Sequence, residues 1–148
     1  MNPNRPSGTK EQSLGTLLKR AEQAMLKSKS ATLKPVGLTL AQYVALSELE
    51  ARPGITAATL ARACFVSPQA MMILLKAMEQ QGLIERRPHP RHANVLELHI
   101  TDVGREALHA GRGRIAPIEH RILGAFTERE VKTFRALLTT FINAAEPG

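Results

Sequence analysis

The sequence predicts a mostly α-helical fold with a small β-hairpin, which places it in the α+β class. Three observations lead to this prediction. Polar capping residues precede segments whose apolar residues recur at helical spacing. A run of nearly alternating residues at 95–100 follows a helix that ends in glycine. Apolar helical stripes lie at both ends of the chain. The 148 residues, 43% hydrophobic and 22% charged, suit one globular domain with an extension.

The first part of the chain predicts a flexible start and two helices. Residues 1–10 are polar, and we expect them to be flexible. A helix is predicted over 11–32, and the KPVG segment at 34–37 ends it. Thr39 and Gln42 have the spacing of a capping box and predict the start of a second helix. The RPG segment at 52–54 ends that helix. The apolar stripe of the first helix consists of Leu14, Leu17, Leu18, Ala21, Ala24 and Met25.

Residues 56–82 predict a helix-turn-helix unit. A short helix spans Thr56 to Cys64, with Leu60 and Ala61 facing the core, and a turn follows at 65–66. The second helix has Ser67 as its N-cap and Pro68 at its first position. Its predicted end is Gln81, because Gly82 supplies a C-terminal stop.

The second helix of this unit has two different faces. Helical periodicity places Met71, Leu74, Leu75 and Met78 on the core side. The other side carries Met72 and Ile73 among polar residues, which leaves two interpretations. Either a neighbouring element covers them, or the helix enters a DNA major groove. In the second case Gln69 pairs with an adenine edge, Met72 and Ile73 contact thymine methyl groups, and Lys76 meets a phosphate.

A β-hairpin is predicted after Gly82. Leu83 and Ile84 begin one strand, and residues 95–100 form the other. The sequence RRPHPRHAN at 86–94 is the predicted loop between them, with three arginines and two prolines. A basic loop directly after a helix-turn-helix unit is typical of a wing that contacts phosphates or a minor groove. An ordinary solvated loop is the alternative.

Two further helices are predicted at the C-terminal end. Thr101 caps a helix that runs from Asp102 toward Gly124, and Pro117 should bend or interrupt it. Thr127 and Glu130 form a second capping box for a helix that ends near Ala145. The apolar face of this last helix is wide for a surface helix, so we expect a partner to cover part of it. That face consists of Val131, Phe134, Leu137, Leu138, Phe141 and Ile142.

Composition narrows the possible functions. A net charge of +7 and a pI near 10.2 favour a polyanionic partner. The charge is not concentrated on the helix-turn-helix and hairpin: residues 55–100 carry five Lys or Arg against three acids, whereas residues 1–36 carry seven against two. Aromatic residues make up only 3%, which argues against stacking on single-stranded nucleic acid.

No sequence motif predicts catalysis, a cofactor or a metal site. Phosphate-binding, nucleophile-elbow and zinc motifs are missing, and the histidine pairs lack a third ligand at a familiar spacing. The single cysteine, Cys64, excludes an internal disulfide and fits a reducing compartment. It is either buried filler, which we favour, or a redox switch. We expect a cytoplasmic protein with no membrane segment, because the start is polar and no long apolar run occurs.

Residues 66–108, VSPQAMMILLKAMEQQGLIERRPHPRHANVLELHITDVGREAL, resemble the recognition helix, wing and following helix of the MarR family of bacterial transcription regulators. The order of SPQ, GLIER, a Pro/Arg wing and I-T-x-x-G carries the resemblance, which extends over about residues 11–145. The family's wing commonly carries Asp-x-Arg, where this chain has His92 and Asn94. Arg91 is the nearest substitute.

The resemblance implies a winged helix-turn-helix domain at 37–101, with helical dimerisation regions at 11–36 and 102–148. It implies a homodimer that binds an inverted-repeat operator in double-stranded DNA. It also implies a repressor that a small phenolic or aromatic ligand releases. The sole tyrosine, Tyr43, is then either a core or edge residue or part of an effector pocket. A winged-helix module that binds proteins without DNA readout is the alternative function. The predicted DNA contacts are Thr56, Ser67, Pro68, Gln69, Met72, Ile73, Lys76, Arg86, Arg87, His89, Arg91, His92 and Asn94.

Overall fold

The computed structural model describes residues 13–147 and confirms the mostly helical fold with one antiparallel hairpin. The predicted flexible segment 1–10 and the predicted start of the first helix lie outside the described residues. The elements, in chain order, are α1 (Leu14–Leu33), a single 3-10 turn (Lys34–Val36), α2 (Leu40–Ala51), α3 (Ala57–Ala63), α4 (Pro68–Gln80), β1 (Ile84–Pro88), β2 (Leu96–Ile100), α5 (Asp102–Leu123) and α6 (Glu128–Ala145).

Hydroxyl side chains cap all six of these helices. Each N-cap oxygen accepts a hydrogen bond from the backbone N–H three residues later, which satisfies a donor that the helix itself cannot pair. The predicted capping boxes at Thr39 and Thr127 are both complete. The full set of N-caps is Ser13, Thr39, Thr56, Ser67, Thr101 and Thr127.

The hydrophobic core lies where α2, α3, α4, α5 and the hairpin meet. Leu60 and Ala61 of α3 are buried, as the sequence predicts, and so are Met71, Leu75 and Met78 of α4. Burying a side chain of this size contributes about 1.5–3 kcal/mol. The largest fully buried side chains are Leu33, Leu46, Leu49, Leu60, Met71, Leu75, Met78, Leu98, Leu108 and Ile115.

The hairpin is longer than the sequence predicts. β1 and β2 pair from Ile84 opposite Ile100 to Pro88 opposite Leu96. The prediction that the loop begins at residue 86 was therefore wrong. The proline closes the paired segment, at a strand end where its missing N–H is tolerated. On its other side, Leu98 exchanges backbone hydrogen bonds with Gly54 and Ile55, at 3.1 Å each. These bonds tie the hairpin to the segment before α3.

The base of the hairpin is joined tightly to α5. Thr101 donates its hydroxyl hydrogen to the carbonyl of Gly82 at 2.5 Å, and its Oγ1 accepts from the N–H of Gly104 at 3.0 Å. Its own N–H bonds to the carbonyl of Leu83 at 3.1 Å. Gly104 is buried in this junction. A β-carbon there would overlap the Leu83 carbonyl oxygen and lie 2.8 Å from Ile100 Cγ1. The I-T-x-x-G sequence is thus a packing requirement.

Of the two predicted effects of Pro117, a bend or an interruption, the interruption does not occur, because helix α5 continues through this residue. Ile115 and Ile118 are buried on either side of the proline, and their packing favours helix on both sides. Two ion pairs also fix α5 to earlier helices. Lys29 Nζ lies 3.0 Å from Glu119 Oε1, and Arg112 pairs with Glu50. The hydrogen bond from Arg112 holds the pKa of Glu50 below its usual value.

Within residues 13–147, no residue of helix α6 is fully buried. Phe134, Leu137 and Ile142 are 49%, 62% and 52% exposed. None of the helices between residues 14 and 145 is long and apolar enough to cross a membrane alone. Helices α3 and α4 pass that test only when counted as a pair, which is bent by 109°.

Gly104→Ala should destabilise the protein by about 1–3 kcal/mol, because the new methyl group overlaps the Leu83 carbonyl and Ile100. Gly113→Ala is the matched control on the same helix, since nothing lies within 4 Å of a β-carbon there. The control should stabilise by about 0.5–1 kcal/mol. Urea unfolding followed by circular dichroism measures both. Equal effects of the two substitutions would contradict the close contact at Gly104.

Candidate nucleic-acid interface

One face of α4 is exposed to solvent in the part of the chain that the structure describes. Met72 is 48% exposed and Ile73 74% exposed. Gln69 and Lys76 are exposed beside them, as are Ser67 and Pro68 at the start of the helix. Within residues 13–147, no neighbouring element covers Met72 and Ile73, so the first of the two interpretations does not hold for this part of the chain. Two apolar side chains stand in solvent on a helix whose opposite face is buried.

The N-terminal turn of α4 is set by Ser67, whose Oγ accepts from the N–H of Ala70 at 3.1 Å. Thr56 has the same role for α3 and also contacts the hydroxyl of Thr59, at 3.0 Å. Thr56 is half-buried, so its hydroxyl is largely committed to capping. The 109° bend between α3 and α4 lies in the range of helix-turn-helix motifs.

The turn between α3 and α4 contains Phe65, a residue that the sequence analysis did not single out. Its φ is +56°, in the left-handed region that favours glycine, and its side chain is 95% exposed. The N–H of Phe65 bonds to Arg62 and that of Val66 to Ala61, which is the hydrogen-bonding pattern of a helix C-terminal cap. The short linker between the end of α3 and the N-cap of α4 was the sequence feature that could have indicated a residue at positive φ here.

The tip of the wing is exposed and carries an arginine. Arg91, His92 and Asn94 are all exposed. The rings of His89 and His92 stack, with centroids 5.2 Å apart, and the N–H of Arg91 donates to His89 Nδ1 at 3.1 Å. Within residues 13–147, neither Arg91 nor Lys76 has a carboxylate partner. Their charges are available to an external anion.

Arg86 and Arg87 are engaged differently. Arg86 lies on the inner side of β1 and pairs with Glu79 of α4, with its side chain 23% exposed. Arg87 points outward, 60% exposed, and pairs with Glu85. Arg86 therefore joins the wing to α4, whereas Arg87 can exchange an exposed carboxylate partner for another anion at little cost.

Glu97 of β2 lies close to two histidines of the hairpin, His89 and His99. Its carboxylate lies 3.0 Å from His99 Nε2 and 3.7 Å from His89 Nε2. Glu97 also packs against Gly54, the residue that joins the hairpin to the α2–α3 loop. Within residues 13–147, no three His, Cys, Asp or Glu side chains are grouped as metal ligands.

An open pocket of about 390 Å³ lies where α1 meets the helix-turn-helix unit. Cys64 is half-buried in its wall, and desolvation, followed by the charge of Glu48, raises the pKa of its thiol. Tyr43 is not among the lining residues. Its ring packs toward Gly111 of α5 and Leu33, which favours its interpretation as a core residue. The pocket is lined by Leu26, Ser30, Leu40, Ala41, Val44, Cys64, Val66 and Leu74.

The order of these elements and their contacts agree with comparisons to known proteins. The sequence profile of the MarR family matches residues 36–93, which run from the end of the 3-10 turn to the wing tip. The HTH-type transcriptional repressor Rv2887 of Mycobacterium tuberculosis is 32% identical over 125 residues, covering 84% of this chain and 90% of the relative. The chain belongs to the MarR family.

Solved structures extend this MarR family assignment to three dimensions. Rv2887 in complex with p-aminosalicylic acid superposes with a TM-score of 0.70 at 31% identity, covering 88% of this chain and 98% of the relative. Its complex with DNA gives 0.71 at 30% identity, with the same coverage. The fold is also that of Staphylococcus aureus MepR in its DNA complex, with a TM-score of 0.85 at 20% identity over 93% of this chain and 100% of MepR.

Phe65→Gly should raise the free energy of unfolding by about 1 kcal/mol, because glycine adopts a positive φ without a steric cost. Phe65→Ala is the control: it removes the exposed ring but keeps a β-carbon in the left-handed conformation, and should leave stability near that of the parent. Chemical denaturation measures all three proteins. A glycine variant no more stable than the alanine variant would contradict the strain at this turn.

Proposed function

We propose that this MarR-family chain is a homodimeric transcriptional repressor that binds double-stranded DNA in the cytoplasm and is released by a small aromatic acid. The observation that carries the proposal is the solvent-exposed face of α4, on which Gln69, Met72, Ile73 and Lys76 are all exposed in the structure of residues 13–147. The DNA complex of Rv2887, a relative at 30% identity, supports it. The proposed function requires no catalysis and no cofactor.

The proposed contacts divide by chemistry. Gln69, near the N-terminus of α4, has an amide that can bond two atoms of an adenine edge. Met72 and Ile73 provide apolar contact with thymine methyl groups. Lys76 meets a phosphate as a point charge. We propose that the exposed N-terminal turn, with Ser67 and Pro68, lies close to the DNA backbone, where the positive end of the helix dipole favours phosphate.

The wing adds a second contact region. Arg91, with His92 and Asn94, occupies the exposed tip, where the family's Asp-x-Arg sequence is replaced. We propose that the tip follows the phosphates, with Arg87 and His89 at its base. Arg86 supports this contact indirectly, by holding the wing against Glu79 of α4. We propose that Thr56, the N-cap of α3, also lies close to the DNA backbone.

Dimerisation rests on apolar surface that one chain leaves uncovered. Leu14 and Leu17 of α1 are 68% and 46% exposed, and α6 exposes Phe134, Leu137 and Ile142. A groove of about 370 Å³ between the two helices has a fully apolar lining. A surface of this kind on both terminal helices is typical of a subunit interface. A two-fold dimer would present two α4 helices to successive major grooves of an inverted-repeat operator.

The effector site we propose is the pocket between α1, α2, the α3–α4 turn and α4. Its volume suits a single aromatic ring with a substituent. Rv2887 has been solved with p-aminosalicylic acid and with salicylic acid, which supports a ligand of that class. The walls of this pocket belong both to α1, a proposed dimerisation helix, and to the DNA-binding unit. A ligand that favours a different distance between α1 and the DNA-binding unit would therefore lower the affinity for DNA.

A protein-binding module is the second candidate function, favoured by the exposure of Met72 and Ile73 and the small net charge of the unit. The two functions differ in which residues matter. Under protein binding, Met72→Asp abolishes the interaction and Arg91→Ala leaves it intact. Under DNA binding, both substitutions weaken a complex with duplex DNA.

Lys76→Ala and Arg91→Ala should each weaken binding to all duplex sequences alike and reduce the slope of log K against log salt by about 1, because each removes one phosphate contact. Fluorescence anisotropy over a salt series, on a duplex selected from a randomised library, measures this. Lys132→Ala on α6 is the control, since it removes the same charge away from the proposed interface. The same loss of slope in the control variant would contradict the assigned contacts. A DNA affinity of the parent protein that does not change with salt concentration would contradict DNA binding.

Salicylate should lower the DNA affinity of the parent protein, and Ala41→Phe should abolish that effect while DNA binding persists, because the new ring fills the pocket. The control is Ala51→Phe, the same change at an exposed position at the far end of α2. Anisotropy titrations with and without salicylate measure the response. Release of DNA from the Ala41→Phe variant by salicylate would place the effector elsewhere.

A further inference from the structure

The C-terminal turn of α4 is held by a buried side chain from another helix. Gln42 of α2 is the one buried polar residue among residues 13–147, with 4% of its surface exposed. Its Nε2 donates a hydrogen bond to Oε1 of Gln81, the C-cap of α4, at 2.8 Å. A buried amide that loses its partner is costly, so this bond is strongly preferred over a broken one.

The same amide is fixed at its other end. Gln42 Oε1 accepts from the N–H of Thr39 at 3.1 Å, and Thr39 Oγ1 accepts in return from the N–H of Gln42 at 3.1 Å. This capping box leaves the amide a single orientation, with its NH2 group toward α4. The side chain is thus fixed at Oε1 by the first turn of α2 and at Nε2 by the end of α4, so it links the positions of the two.

Side chains from three elements meet this end of α4. After Gln81 the chain turns through Gly82, with φ +71°, into the wing. Glu79 of α4 pairs with Arg86 of the wing, and the hydroxyl of Thr101, the N-cap of α5, donates to the carbonyl of Gly82 just beyond the helix. Among residues 13–147, the Gln42–Gln81 bond is the side-chain hydrogen bond that ties the C-cap of α4 itself to a helix outside the helix-turn-helix and hairpin.

We propose that Gln42 is a positioning residue, which sets the direction of α4 toward DNA through its bond to Gln81. This inference rests on the proposed DNA-binding function. It adds a determinant of affinity that touches no DNA. Ala41 and Val44, which lie one residue before and two residues after Gln42 on α2, line the proposed effector pocket. The same turn of α2 therefore contributes to the pocket wall and contacts the end of α4.

Two substitutions at Gln81 separate positioning from electrostatics. Gln81→Met removes the acceptor without changing charge, and Gln81→Glu keeps an acceptor but adds a negative charge. If Gln42 positions α4, the Met variant should bind its duplex roughly tenfold more weakly than the parent, and the Glu variant should bind more tightly than the Met variant. If only charge mattered, the Glu variant would be the weaker of the two. That order, or a Met variant within twofold of the parent, would overturn the proposal.

A polarity exchange tests the bond from the other side. Gln42→Glu keeps the acceptor for Thr39 and so preserves the capping box, but it removes the donor toward Gln81. On its own it does not remove the contact, because the exposed amide of Gln81 can rotate and donate its NH2 group to the new carboxylate. Gln42→Glu with Gln81→Met removes that donor and should weaken DNA binding, whereas Gln42→Glu with Gln81→Lys should recover most of the loss, because a donor again faces an acceptor. Thermal unfolding of each variant gives the folded fraction used to correct the affinities. A Lys double variant as weak as the Met double variant would overturn the proposal.

Hydrogen exchange separates failure of this inference from failure of the proposed function. The amides of Gln81, Gly82 and Leu83 close the end of α4 by bonds to Ala77, Glu79 and Met78. They should exchange faster in Gln81→Met than in Gln81→Glu, whether or not DNA is a ligand. Equal exchange in the two variants would overturn the role of Gln42. A parent protein that does not prefer any duplex would instead overturn the proposed function.

Discussion

The burial of one face of α4 is the constraint on which the rest of the structure depends. Met71, Leu75 and Met78 are all inserted in the core, 1% exposed or less. A helix has a fixed angular period, so committing these positions inward forces residues 69, 72, 73 and 76 outward. The exposed face is thus a consequence of packing, and it needs no separate interaction to hold it in solvent. Contacts at both ends of the helix then limit its rotation and tilt.

The wing is positioned by backbone geometry more than by its own side chains. Leu98 bonds to Gly54 and Ile55 on one edge, while β1 pairs with the other. Thr101 and Gly104 join the end of β2 to α5 so closely that a single β-carbon does not fit. Helix α5, twenty-two residues long, connects this junction to α6, whose apolar side chains are exposed. In the proposed dimer, a change in the spacing of the two subunits would therefore be transmitted through α5 to the wing and α4.

Charge has a smaller part in this MarR-family chain than its pI suggests. Arg86 and Arg87 have carboxylate partners, and Arg52, Arg105 and Arg112 pair with acids elsewhere. Exposed pairs of this kind contribute little to stability. They do, however, reduce the field that the wing presents to a phosphate. The proposed interface therefore combines a few unpaired cations, such as Lys76 and Arg91, with an apolar contact surface on α4.

The sequence by itself determined the order and type of the elements, the caps at Thr39, Ser67, Thr101 and Thr127, and the two faces of α4. These features depend on local hydrogen bonding and on helical periodicity, which neighbouring residues specify. Tertiary structure decided the rest. Arg86 joins the wing to α4 by pairing with Glu79, and the buried amide of Gln42 bonds to the C-cap of α4. Both partners lie on other elements, so no local sequence pattern reveals these contacts. Packing of Ile115 and Ile118 carried α5 through Pro117, because contacts distant in sequence outweighed the local preference of the proline. The positive φ of Phe65 comes from the C-terminal cap of α3, which most often uses glycine, so the residue type at this position gave no sign of it.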